Sequence, residues 1–367
     1  MTRRRLLAAL AAVIATIGGR TTFGSAPAVP AQDDALLYVC VQDDAKIAVV
    51  DMNAQAVVRT IDLTALGFVA TAKPHFVAVD PDGEHWYVSL IGENKVVKFD
   101  RNDAVVGTYE TETPGMLSIA PGSGLLLASR SMSAVNPPRR IALIERATMD
   151  GEEVDVLFPR PHPMAVANGY AYTGSLGVNQ IASVSLETYR ADVVNVDGPP
   201  HAFVQFTVSP DGRYLVAATE LSGQIQVFDL STPARPSLTK TLEVGAMAFD
   251  PVFTKSGGAL WVPIKSTNEI AVIDPRSWIV RARIKDETLK QPHQIVFSPD
   301  GRFAFVTNNN KMDHMADPAH AGHDMGAMAG SGDGMASLVV IDVAWHQVVK
   351  TIELGRNLTG MGARGSR

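Results

Sequence analysis

From residue 35 onward, short apolar runs alternate with clusters of Gly, Pro, Asp and Asn, and one apolar phrase returns seven times. It closes on a polar, mostly acidic residue: IAVVD at Asp51, VVKFD at Asp100, IALIE at Glu145, IASVS at Ser185, IQVFD at Asp229, IAVID at Asp274 and LVVID at Asp342. The intervals are 49, 45, 40, 44, 45 and 68 residues. Short β-branched runs bounded by turn residues predict strands, and a period near 45 matches one four-stranded propeller blade. A further strand precedes the phrase, clearest in Tyr38-Val39-Cys40, Tyr87-Val88-Ser89, Trp261-Val262-Pro263 and Phe305-Val306-Thr307-Asn308. Several of these strands follow a turn such as Asp80-Pro81-Asp82-Gly83, Ser209-Pro210-Asp211-Gly212 or Ser298-Pro299-Asp300-Gly301. Pro in second place and Gly in fourth fit a type I turn. The pattern predicts an all-β chain, a seven-bladed β-propeller over residues 32–367. Residues 357–367 would complete the blade begun by residues 35–63.

The last interval exceeds the others by the length of one peculiar stretch, residues 311–335. Five of the 13 methionines and three of the nine histidines fall there, among them Met312, Met315, Met325, His314, His320 and His323. Apart from the methionines it has no aliphatic side chain larger than alanine, so it cannot build a core and reads as a Met/His-rich loop inserted in one blade. Thioether sulfur selects Cu(I) and imidazole suits copper in either oxidation state, which makes copper the expected metal.

A second set of the same residue types recurs where each blade's innermost strand should start. The pairs are Pro74-His75, Gly115-Met116, Pro161-His162, Pro200-His201, Ala246-Met247, Pro292-His293 and Gly360-Met361. Spacing alone assigns His75, Met116, His162, His201, Met247, His293 and Met361 to one equivalent position around the channel mouth. In a blade whose first strand runs away from a face and whose second returns to it, the loop after the second strand opens on that face. The insertion begins there, so ring and insertion are expected to share one face. Histidines serving as ligands would need neighbouring acceptors to set their tautomers. His85 and His346 fall outside this pattern and read as surface residues.

The N-terminus reads as an export signal, residues 1–31. Arg3, Arg4 and Arg5 precede an apolar run over residues 6–17, too short for a confident membrane span, and Val29-Pro30-Ala31 offers a cleavage site. The arginines also fit a twin-arginine signal, so the expected location is periplasmic or secreted, by either route, with no membrane span after cleavage. Loss of Arg3, Arg4, Arg5 and Arg20 takes the formal charge from −6 to −10; an acidic chain is a poor nucleic-acid partner. The single cysteine, Cys40, excludes an internal disulfide and any copper centre needing a cysteine pair. Cys40 stands in register with Ser89, Ser129, Gly174, Ala218, Pro263 and Thr307, a column of small residues, and is expected to pack.

The SPDGR turns and Phe305-Val306-Thr307-Asn308 make the chain resemble the YVTN-repeat propellers, a group that includes lactonase-like proteins and the propeller of haem d1 nitrite reductase. The resemblance implies the fold, and this fold hosts unrelated activities. In architecture and histidine content the chain also resembles the catalytic propeller of nitrous oxide reductase, without matching it phrase for phrase. That likeness implies a copper-dependent reductase of a small oxidised substrate, with one copper or a multinuclear cluster held by the histidines. The chain lacks the cupredoxin domain of that family, so electrons would have to come from an external donor, a cytochrome or a cupredoxin. Two alternatives stand beside it: non-catalytic copper binding, storage or delivery, and a lactonase-like hydrolase or interaction scaffold, for which the sequence offers no acid–base motif.

Overall fold

The computed structural model describes residues 35–133, 135–311 and 334–365. The expected export signal, residues 1–31, and residues 312–333, with His314, His320, His323, Met312, Met315 and Met325, lie outside the described residues. The described chain forms seven four-stranded antiparallel sheets, the blades of the expected propeller. Blade 1 comprises Leu36–Val41, Lys46–Asp51 and Ala56–Asp62, and its innermost strand, Leu358–Ala363, comes from the other end of the chain. Among the described residues no helix is long and apolar enough to cross a membrane.

The repeated phrase is the third strand of every blade, and its closing acid has a local task. Asp51, Asp100, Asp229, Asp274 and Asp342 each turn Oδ1 onto a backbone N–H two residues on, starting the hairpin to the outer strand. The proline turns also hold: Gly83, Gly212 and Gly301 donate to the carbonyls of Asp80, Ser209 and Ser298, each at 2.8 Å. Second and third strands are packed between neighbouring blades on both faces, so Leu36–Val41 is buried throughout. Outer strands such as Ser237–Glu243 are mostly exposed. Between blades 1 and 2 the core is an aromatic stack, with Trp86 centred 4.6 Å from Tyr38 and 4.0 Å from Phe99. Cys40 is fully buried in that cluster, and burial pushes its thiol pKa up, which suits a packing residue.

Ring closure needs close approach at blade 1. A Cβ at Gly360 would come within 2.6 Å of Phe76 Cα, so the closing strand lies nearly against the innermost strand of blade 2, Pro74–Val79. Blade 6 is the weak member, its inner strand reduced to Val252–Phe253. A side chain replaces the missing ladder: Asp250 accepts from Gln205 Nε2 at 3.1 Å and from the Ile295 N–H at 3.2 Å, tying blade 6 to blades 5 and 7.

The chain enters and leaves the insertion on one face. Asn309 and Asn310 donate backbone bonds to Gln291 and Lys290, just ahead of the inner strand Pro292–Phe297. Asn310 Nδ2 also donates to the Met335 carbonyl at 2.8 Å, joining the two ends. The insertion therefore departs from the same mouth as the inner-strand starts.

Candidate functional site at the channel mouth

Each inner strand is entered through one residue in the left-handed region: Lys73, Thr113, Arg160, Ala202, Met247, Gln291 and Asn357, with φ between +46° and +58°. The residue that follows pairs with the same place on the second strand. These pairs are Pro74 with Leu90, Pro114 with Arg130, Pro161 with Ser175, Phe203 with Thr219, Ala248 with Ile264, Pro292 with Asn308 and Leu358 with Val41. The next position around the mouth is therefore His75, Gly115, His162, Val204, Phe249, His293 and Thr359.

This register corrects the equivalence expected from spacing. Three histidines share the position; Met116, His201, Met247 and Met361 do not. Met116 lies one residue further along its strand and packs in the cluster of Leu127, Ile141, Phe158 and Met164. Met361 lies two further, buried with Val39, Phe305 and Leu358. Met247 is itself the left-handed residue and packs against the cluster of Val262, Ile264 and Phe249. His201 precedes the left-handed residue, and both its ring nitrogens are engaged: Nδ1 with Ser222 Oγ at 2.9 Å, Nε2 with the Asp197 carbonyl at 3.1 Å and Gln226 Nε2 at 3.2 Å. It ties the loops of blades 4 and 5 together.

His75, His162 and His293 lie within electrostatic reach of one another. The rings of His75 and His162 are 5.9 Å apart, centre to centre. The glycine between them in the ring makes room: a Cβ at Gly115 would stand 2.8 Å from Ser129 Oγ, 3.0 Å from Ser131 Oγ and 3.4 Å from His162 Nδ1. Each ring is oriented from the preceding blade. Gln42 Oε1 lies 3.0 Å from His75 Nδ1, and Ser131 Oγ lies 2.6 Å from His162 Nδ1. The Gln42 oxygen accepts from His75 Nδ1–H and leaves Nε2 with its lone pair, while the Ser131 hydroxyl, able to accept or donate, holds the His162 ring at Nδ1. Burial holds His75 down to about 4, with the charge of Lys265 adding to it. Burial holds His162 and His293 well below the usual imidazole value, helped at both by His75 and Lys265 and at His293 by His162 as well. All three are neutral at neutral pH. Gly115→Ala is expected to push Ser131 off His162 and cost about 1–3 kcal/mol of stability. The imidazole nitrogen shifts of His162 would register the lost hydrogen bond at Nδ1, and unchanged shifts would contradict this account of the ring.

Gln42 and Ser131 stand two residues beyond the small-residue column, and the same place in blades 5, 6 and 7 holds Glu220, Lys265 and Asn309. Sequence reasoning passed over this set, although the Cys40 column locates it. Lys265 is nine-tenths buried with Nζ 3.5 Å from the centre of the Phe249 ring. Burial lowers its pKa to about 7 against the pull of Glu220. Burial raises the Glu220 pKa despite Lys265 and Arg160. The backbone links the two: the Met247 N–H donates to the Glu220 carbonyl, and the Lys265 N–H donates to the Met247 carbonyl. Among the described residues, no group of three or more His, Cys, Asp or Glu is close enough to hold a metal ion. An open recess of about 550 Å³ lined by Trp261 and His346 lies by the Asp300-Gly301 turn and includes none of these residues. His346 packs edge-on against Trp261 there, 5.3 Å between ring centres.

No protein-family model and no curated protein matches the chain. Solved structures do. The periplasmic gluconolactonase of Pseudomonas aeruginosa matches over 91% of this chain and 99% of its own, with 18% identity and a TM-score of 0.67. A streptogramin B lyase matches over 75% and 87%, with 15% identity and a TM-score of 0.63. Dihydro-haem d1 dehydrogenase matches over 94% and 78%, with 14% identity and a TM-score of 0.58. At these identities the likeness establishes the propeller fold and leaves the chemistry to the site.

Proposed function

We propose that this protein is a copper-binding propeller whose metal is held at the mouth. The observation that carries the reading is the pair His75 and His162: adjacent, neutral imidazoles, each oriented at Nδ1 from a neighbouring blade. Such orientation is what metal-ligating histidines receive. His293 is the third imidazole of the same ring position. Further donors would come from the insertion, whose ends meet the fold at this mouth and whose sequence supplies His314, His320, His323, Met312, Met315 and Met325. With His201 tied into its loops and Met116 and Met361 packed in the core, the donor set is smaller than a closed ring of seven. That favours copper capture and exchange, in storage or delivery, over a preassembled cluster.

A second reading, a copper-dependent reductase of a small oxidised substrate, is supported by Lys265 and Glu220. Both are buried beside the imidazoles, with pKa values displaced toward neutrality, and proton donors are what reduction of an oxidised substrate requires. Bound copper would supply the redox centre, with electrons from an external cytochrome or cupredoxin.

The test is the copper content of protein purified without oxygen, beside a variant lacking residues 312–333. Copper in the full-length protein that falls but persists in the deletion variant is the expected result. Persistence would place one set of donors in the ring and another in the insertion. A full-length chain that binds no copper would overturn both readings.

A further inference from the structure

Lys265 occupies the place in blade 6 that Gln42 and Ser131 occupy in blades 1 and 3. Those residues offer an oxygen to Nδ1 of the histidine of the following blade. Lys265 has no oxygen to offer, and His293 Nδ1 is buried without a hydrogen-bond partner. Among the described residues Lys265 Nζ makes no close ion pair: Glu220 acts on it through its charge alone, and its near contact is the Phe249 ring. Glu220, 3% exposed, has a buried Oε2 that is likewise unpartnered. One corner of the mouth, between blades 5 and 7, thus holds an ammonium without an ion pair among the described residues, beside a buried imidazole nitrogen and a buried carboxyl oxygen that the protein leaves unpartnered. Buried charges are costly unless paired, and buried polar atoms are normally bonded. Arg160 acts on Glu220, and Lys311, itself paired with Asp43, acts on His293 and Lys265. The floor is apolar, because His293 and Lys265 both lie against Phe249.

We propose that this corner is a binding site for a small hydroxycarboxylate. Its carboxylate accepts from Lys265 Nζ and from the Nδ1–H of His293, taking the part that Gln42 and Ser131 play at the other two rings. Its hydroxyl meets Glu220, and its short carbon skeleton lies on Phe249. The proposal goes beyond the copper reading and does not depend on it, because all three groups belong to the described fold and the anion replaces a missing protein acceptor.

Glycolate is the probe, titrated calorimetrically into metal-free protein in a low-salt buffer without carboxylates. Saturable binding at one site per chain is expected. Lys265→Met should weaken it at least tenfold, since a desolvated ammonium–carboxylate pair is lost. Glu220→Gln, which keeps a polar group of the same shape and the ammonium, should bind glycolate at least as well as the parent. Because the titration uses metal-free protein, its outcome separates this site from the metal. Absence of saturable binding in the parent, equal affinity in Lys265→Met, or weaker binding in Glu220→Gln would each overturn the proposal. A parent that takes glycolate but no copper would overturn the copper reading alone.

Discussion

Replacing His75 and His162 together with alanine is expected to lower copper affinity at the mouth by about 100-fold or more, because both oriented imidazoles are lost. Each single variant should cost less than the pair, since the remaining ring and the insertion still supply donors. The Gln42 and Ser131 side chains act one step back; Gln42→Ala and Ser131→Ala are expected to cost about tenfold each by removing the hydrogen bond that orients each ring at Nδ1. The pH dependence distinguishes this site from an exposed histidine tract. An ordinary imidazole competes with protons from its usual value of 6.5 downward, whereas burial holds His75 down to about 4. Copper bound at the mouth should therefore persist to about pH 5, while copper bound by solvated histidines should be released nearer their ordinary range. Anaerobic copper titration of the parent, the two single variants and the double variant checks both statements. Equal affinities throughout would remove His75 and His162 from the site and the proposed function with them.

Asp250→Asn is expected to invert the pH dependence of stability between the two proteins. Burial raises the Asp250 pKa from 3.8 to about 7, in spite of the bonds from Ile295 and Gln205 that favour its charge. The folded state therefore binds a proton that the unfolded state has released over this range. The contribution of a raised carboxyl is complete below the unfolded value, near 4, and is lost as pH rises through the folded value, near 7. Each unit of displacement is worth about 1.4 kcal/mol, so the ionised carboxylate costs on the order of 4 kcal/mol above neutrality relative to an uncharged group. An asparagine keeps the acceptor for the Ile295 N–H, and Gln205 can turn its amide to meet the new NH₂. In acid the variant should match the parent or fall short by about 1 kcal/mol, the value of one imperfect hydrogen bond. At alkaline pH it should be the more stable protein. The imidazoles act in the opposite sense: His75, His162 and His293 are held neutral, and their contribution is lost as pH falls below 6.5. They are common to both proteins and cancel in the difference. Urea unfolding at about pH 5 and about pH 8 measures it, and a difference that does not change with pH would contradict a buried, displaced carboxyl at Asp250.

The blade count was legible because it rests on local chemistry repeated along the chain. IAVVD and its six counterparts are strand-length, apolar and closed by an acid that starts the next turn, and the proline turns carry their own geometry in Pro and Gly. The strand that closes blade 1 was legible from the count as well, since residues 35–63 leave that blade one strand short. That the chain leaves its second strand for residues 312–333 beside the inner-strand starts followed from strand direction. The ring register did not follow, because inner strands in blades 3, 5, 6 and 1 do not start on a Pro-His pair, and a spacing read from residue types slid by one to three positions there. The left-handed residue and the pairing with the second strand set the register, and neither has a letter in the sequence: Lys, Thr, Arg, Ala, Met, Gln and Asn all occupy that place.

What the sequence determined by itself is whatever a few consecutive residues can enforce: seven blades, their turns, a small-residue column with Cys40 in it, and a Met/His-rich insertion after one second strand. What only the tertiary structure decided is which side chains meet across blades. Gln42 reaches His75 from 33 residues away, Ser131 reaches His162 from 31 residues away, and Asp250 joins segments 45 residues to either side. Burial makes those meetings matter. Away from water an imidazole stays neutral, an ammonium keeps its proton less tightly, and a carboxyl holds on to one, so the chemistry of His75, Lys265 and Asp250 belongs to the closed ring and not to the residues alone.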